Sequence, residues 1–201
     1  MTPRVLLLPG WHNSGPTHWQ SLWAQQHGYA RVAQHDWERP LRGDWMAQLE
    51  IAVLAATAPS VNPDTPARVV LVAHSLGCHL VAAWAAHSPH AHRVHAALLV
   101  APPDLSQPAL QHVLHSWRPP VRATLPFPSV VLASQDDPYG ALSHAQALSR
   151  DWGARCVDMG RGGHLNADSG LGDWPEGHAW LQSLISSVQT TPSQRLAHHG
   201  H

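Results

Sequence analysis

Short, unbroken runs of Val, Leu and Ala recur at residues 5–8, 69–73, 96–100 and 130–133, with weaker runs at 30–34 and 155–159. A strand with one wet face alternates apolar and polar side chains, so a run without alternation fits a strand covered on both faces, as in a parallel sheet. Parallel neighbours cannot be joined by a tight hairpin; each pair needs a crossover, usually a helix. The intervening segments supply helical patterns: 17–27 after Pro16, with Thr17 as the candidate cap, then 44–57, the Ala-rich 76–87, 141–152 and 175–188. This alternation predicts an α/β fold built from right-handed βαβ units, with helices on both faces of the sheet.

The rhythm breaks between residues 102 and 128, where prolines stand at 102, 103, 108, 119, 120, 126 and 128 around one expected helix over 109–117. This segment reads as a crossover elaborated into a small cap. A chain of 201 residues suffices for one core that buries about 70% of its unfolded surface. The expectation is therefore a single domain over 1–188 followed by a flexible polar tail, 189–201.

Composition removes several functions. The formal net charge is −1 and no basic run occurs, so the electrostatic footprint of a nucleic-acid or anionic-membrane binder is missing. Lysine is absent, which excludes Schiff-base chemistry and a phosphate-loop lysine. Two cysteines, Cys78 and Cys156, cannot build a disulfide framework or a cysteine zinc site. The first ten residues lack the apolar length and cleavage site of a signal peptide, and no run is long enough to span a bilayer. A cytoplasmic location is expected.

The run at 69–73 leads into Ala73-His-Ser-Leu-Gly77, then into the Ala-rich helical segment. A small-x-Ser-x-Gly sequence between strand and helix is the pattern of a nucleophile elbow. The flanking positions must be small because strand and helix backbones nearly touch; here they are Ala73 and Gly77, with Ala in place of the usual Gly. The turn would expose Ser75 at the carboxyl ends of the strands and leave the Leu76 N–H free for an oxyanion. A serine hydroxyl is a poor nucleophile unless a base takes its proton and a third group orients that base. Hydrolases of this kind place the acid after a later strand and the histidine in a loop near the end. Ser134-Gln-Asp-Asp-Pro138 and Gly160-Arg-Gly-Gly-His164 occupy those places. Pro138 biases Asp137 toward extended geometry, so Asp137 is preferred over Asp136 as the orienting acid. Leu8-Pro-Gly-Trp-His12 follows the first run, where the Trp11 amide, with His12 second, is the candidate for the other oxyanion donor.

With these residues in view, the chain resembles the small α/β hydrolases of the YdeN-like and retinoblastoma-binding serine hydrolase family. The matching stretches are Pro9-Gly-Trp-His-Asn-Ser-Gly-Pro-Thr-His-Trp19, Ala73-His-Ser-Leu-Gly77, Asp137-Pro-Tyr139 and Gly163-His-Leu-Asn-Ala-Asp-Ser-Gly-Leu-Gly-Asp-Trp-Pro-Glu-Gly177. The resemblance implies an α/β-hydrolase fold with a minimal six-stranded parallel sheet. It also implies a Ser75–His164–Asp137 triad and esterase or peptidase-like activity on small acyl compounds. The Leu-x-Cys-x-Glu motif of retinoblastoma binding is absent, so that partnership is not carried over.

Remaining features receive plainer readings. His87, His90, His92 and His95 match no helical zinc spacing and have no carboxylate beside them in sequence, which favours a solvated helix end. His198, His199 and His201 could bind metal adventitiously. Cys78 reads as a small buried residue of the helix. Gly160-Arg-Gly-Gly163 lacks the third glycine and following helix of a dinucleotide fingerprint. Trp11, His12 and Trp117 are candidates to line an acyl pocket. The chain is thus expected to be a serine hydrolase acting on small-molecule esters, and possible thioesters or amides, with no cofactor and no metal. The alternative is a catalytically idle binding module on the same fold.

Overall fold

The computed structural model describes residues 3–58 and 68–189. Strands β1 (Arg4–Leu8), β2 (Ala30–Arg31), β3 (Val69–His74), β4 (Val94–Val100), β5 (Ser129–Ala133) and β6 (Arg155–Asp158) form one sheet in the order β2-β1-β3-β4-β5-β6. Every adjacent pair is parallel. The helices are α1 (Trp19–His27), α2 (Arg42–Ala56), α3 (Leu76–His87), the short α4 (Pro108–Gln111), α5 (Leu142–Trp152) and α6 (Pro175–Gln189).

The unbroken apolar runs arise because successive side chains of a strand point to opposite faces and both faces are packed. Leu6, Leu8, Leu71, Ala73, Leu99 and Val131 join one core cluster with Trp45, Leu49 and Val53 of α2, Leu80 and Trp84 of α3, and Leu148 and Trp152 of α5. Val5, Leu7, Val70, Val72, Leu98 and Leu132 join the other with Trp19 and Trp23 of α1 and Leu181 and Ile185 of α6. The chain runs outward from β1 to β2 and then returns to β3 on the other side of β1. That reversal opens a crevice at the carboxyl ends of β1 and β3, the place where open α/β sheets bind ligands.

Several boundaries differ from the sequence expectation. The second strand shrinks to Ala30–Arg31 because it lies at the sheet edge and pairs only with β1. His18, not Thr17, caps α1: its Nδ1 accepts the Gln20 N–H at 3.1 Å. The helix expected over 109–117 breaks into α4 and a 3-10 turn at His115–Trp117, with Pro108 at its start. Beside the histidines of 87–95 stands a carboxylate after all, Glu50 of α2, which accepts from Trp84 Nε1, the Ser88 hydroxyl and His90 Nδ1. It ties α2 to the end of α3. Among the described residues no group of three His, Cys, Asp or Glu could hold a metal ion. Nor is any helix among them long and apolar enough to cross a membrane. Most of the tail, including His198, His199 and His201, lies outside the described residues; α6 itself runs to Gln189.

Candidate active site

Ser75 stands at the turn between β3 and α3 with φ 55° and ψ −122°, a conformation that a non-glycine residue adopts only when its surroundings enforce it. Those surroundings are tight. The Ser75 amide donates to Val100 O at 2.9 Å, tying the turn to β4. A Cβ built on Gly77 would lie 2.5 Å from Leu8 O, so only glycine lets α3 pass this close to the end of β1. A Cβ on Gly10 would meet Ser75 Cβ at 2.8 Å and the Leu76 nitrogen at 3.4 Å. The loop after β1 and the elbow therefore touch.

His164 reaches this turn from the loop after β6. Its Nε2 is 2.9 Å from Ser75 Oγ, and its Nδ1 is 2.9 and 2.8 Å from the two carboxylate oxygens of Asp137. A carboxylate can only accept, so Nδ1 carries the proton and Nε2 presents a lone pair to the serine hydroxyl. The His164 and Asp137 side chains are 8% and 4% exposed, which shelters the ion pair that would form on proton transfer.

The neighbouring Asp136 has a different task. Its Oδ1 accepts the Gly163 N–H at 2.9 Å and the Ser134 hydroxyl at 2.8 Å, while Ser134 Oγ accepts the Gly162 N–H. These bonds hold the Asp136 carboxyl below its ordinary range, led by the one from Gly163. Gly163 takes φ 57° in this turn. Asp136 thus braces the histidine loop while Asp137 meets the imidazole.

Opposite the elbow, the segment from Gly10 forms a tight turn in which Asn13 N–H donates to Gly10 O, with His12 and Asn13 at φ 65° and 66°. Arg31 at the sheet edge secures it, donating to Asn13 Oδ1 at 2.6 Å, Ser14 O at 2.9 Å and Ser21 Oγ at 2.7 Å. The Trp11 and Leu76 amides have no acceptor among the described residues. The His12 amide is engaged with Trp37 O at 3.2 Å, which removes it as the second choice of oxyanion donor.

A cavity of about 390 Å³ opens over Ser75. Trp11 and His12 line it, as expected, together with Leu76, Pro103, Leu110, Leu114 and Tyr139. Trp117 does not line it. That ring is buried in the core edge-on to Trp45, its indole N–H given to Pro40 O at 2.8 Å, and it supports the segment whose Leu110 and Leu114 face the cavity. Cys78 is fully buried behind the elbow, where burial pushes its thiol well above the ordinary range.

Two histidines in this region escaped the sequence reading. His18 lines the cavity, and burial, followed by the charges of Arg31 and His164, lowers its pKa to about 4. His74, the middle letter before the serine in the elbow motif, donates from Nε2 to His164 O at 2.9 Å; burial first, then its histidine neighbours, hold it neutral. The motif spacing gave His74 no role, and the preceding residue of an elbow is free to vary as far as spacing goes. Tyr139 also went unassigned, although its ring lies 4.6 Å from that of His164.

A parallel sheet with helices on both faces, a strained serine at a strand-to-helix turn and a hydrogen-bonded Ser–His–Asp arrangement define the architecture of an α/β hydrolase. The family model described as serine hydrolase matches residues 5–183, and the chain belongs to that family. Solved structures of similar fold include hydrolases named YdeN-like. A YdeN-like hydrolase of Pectobacterium atrosepticum superposes with a TM-score of 0.78 at 23% identity, covering 93% of this chain and 92% of that one. The YdeN gene product of B. subtilis gives 0.70 at 22% identity, over 92% of this chain and 100% of that one. A hydrolase of the alpha/beta superfamily from Xanthomonas campestris gives 0.54 at 18% identity, over 93% and 98%. No curated protein matches the chain.

Proposed function

We propose that the protein is a carboxylesterase-type hydrolase of small, uncharged acyl esters that works through an acyl-enzyme on Ser75. The observation that carries this reading is the position of His164, with Nε2 2.9 Å from Ser75 Oγ and Nδ1 within 2.9 Å of both Asp137 oxygens. Ser75 Oγ attacks the acyl carbon as its proton passes to His164 Nε2, and Asp137 stabilises the imidazolium. The resulting oxyanion accepts from the Leu76 and Trp11 amides. Collapse breaks the bond to the leaving alcohol, which takes the proton from His164. Water, deprotonated by the same imidazole, then attacks the acyl carbon and frees the acid and Ser75.

The lining supports the substrate class. Leu76, Pro103, Leu110 and Leu114 give the cavity apolar wall, and among the described residues no arginine lines it to pair with an acidic acyl group. The 102–128 segment serves as a small cap, contributing Pro103, Leu110 and Leu114. None of these steps calls for a cofactor or metal.

A fluorophosphonate probe is expected to label the wild type and not Ser75→Ala, and a p-nitrophenyl ester panel graded by acyl length should show a short-chain optimum. Equal labelling of both proteins would remove Ser75 from the mechanism.

A further inference from the structure

His164 hangs on a short loop whose main chain is gripped at four consecutive residues. Gly162 N–H and Gly163 N–H donate to Ser134 Oγ and Asp136 Oδ1 at 3.0 and 2.9 Å. His164 O and Leu165 O accept from His74 Nε2 and Trp19 Nε1 at 2.9 and 2.8 Å. Leu165 sits at φ 47°, in the left-handed region, so this turn persists only because its neighbours impose it. Of the four ties, one comes from the residue covalently joined to the nucleophile.

We propose that His74 is a positioning residue, one that holds the main chain of the base at the strand end that carries the nucleophile. The inference rests on the Ser75–His164 reading above. Asp137 settles how the imidazole is turned, but a ring held only by Asp137 and Ser75 could still shift with its backbone. His74 lies at the last position of β3, where the sheet pins it against Val100, and Ser75 follows it directly. A hydrogen bond from that side chain to His164 O closes a small ring: nucleophile, strand end, His74, His164 and back to the nucleophile. The distance between Oγ and Nε2 is then tied directly to the rigid end of β3, in addition to the ties from Ser134, Asp136 and Trp19. Displacements of about 1 Å at a reacting pair cost about a hundredfold in rate.

Packing alone does not account for an imidazole here. His74 is 5% exposed, edge-on to the rings of His18 and Trp19. His74 also lines the cavity, and an apolar side chain could fill its place, yet it would leave His164 O without its donor. The ring reaches that oxygen through Nε2, the atom farthest along the side chain, so a shorter polar residue could not replace it.

The test compares three variants at this position. His74→Gln retains an N–H at similar reach, His74→Asn has an N–H too short to reach, and His74→Leu has none. Each is measured for kcat and KM on a p-nitrophenyl ester and for the rate of fluorophosphonate labelling, with thermal melts alongside. The expected pattern is a fall in kcat and in labelling rate of about 30- to 100-fold for His74→Leu and His74→Asn, with KM within threefold and most of the rate restored in His74→Gln. If the leucine variant does not fold, the asparagine and glutamine pair decides. Asn as active as Gln, or Leu within threefold of wild type, would overturn the assignment. Wild type and Ser75→Ala labelling alike would instead overturn the hydrolase reading on which it rests.

Discussion

Gly77→Ala is the sharpest probe of how the elbow is built. The added Cβ would stand 2.5 Å from Leu8 O, 3.2 Å from Pro9 O and 3.3 Å from Leu8 C. Ordinary contacts of carbon lie at roughly 3.5 Å or more, so a gap of about 1 Å must open. Neither partner is the loose end of a side chain: one is the first turn of α3, the other the last residue of β1. The strand end must move, and it carries Gly10 and Trp11 with it, away from the Leu76 amide. Overpacking of this kind costs about 1–3 kcal/mol, and for a domain of this size each kcal/mol lowers Tm by roughly 2–4 °C. The same displacement separates the Trp11 and Leu76 amides, the oxyanion donors proposed above, and should lower kcat/KM by about a hundredfold. Differential scanning fluorimetry and ester hydrolysis measure the two effects. Gly43→Ala is the control, since its Cβ meets nothing within 4 Å and it lies in the first turn of α2; it should leave activity intact and raise Tm slightly. A Gly77→Ala protein with Tm within 1 °C or so and kcat/KM within about threefold of wild type would refute the close-contact argument.

Asp137→Asn should lose about 10³- to 10⁴-fold in kcat because the proposed base loses its orienting acceptor, whereas Asp136→Asn, which weakens the bonds from Gly163 and Ser134 that brace the loop, should lose about tenfold; the reverse order in steady-state kinetics would exchange their roles. Glu50 gives a pH signature in stability. Burial alone would raise its pKa, but the bonds from Ser88, His90 and Trp84 outweigh it and the carboxyl is net lowered from 4.5. A depressed folded value means that the contribution is complete above the unfolded value and is lost as pH falls through the folded one. Thermal melts of wild type and Glu50→Gln should therefore differ at pH 6, with the difference shrinking as pH falls below 4.5; a difference that persists unchanged in strong acid contradicts this account.

The hydrolase family was legible because the elbow is local. Strand, Ser75, Gly77 and helix are neighbours in sequence, and the requirement for small residues follows from a contact made within one turn. Asp137 could be preferred over Asp136 because Pro138 acts on its own predecessor. The cap of α1 was misplaced by one residue because histidine is a rare capping group and its ring must be seen to face Gln20 N–H. Trp117 looked like a pocket wall, since an aromatic ring in a proline-rich segment gives no sign of which way it points; only the carbonyl of Pro40 and the face of Trp45 decide that it turns inward.

Patterning along the chain was enough to determine a parallel sheet covered on both faces, a serine at a strand-to-helix turn and the later aspartate and histidine that hydrogen-bond in series to it. Such features depend on side-chain period and on contacts a few residues apart. Only the folded molecule decided that His74 and Trp19 hold the His164 loop by the carbonyls of His164 and Leu165, that Arg31 secures the turn after β1, and that Leu110 and Leu114 face the cavity. The hydrogen bonds among these join residues from 10 to 146 positions apart, and contacts at such separations arise from how helices and loops settle on a sheet, which no local spacing encodes.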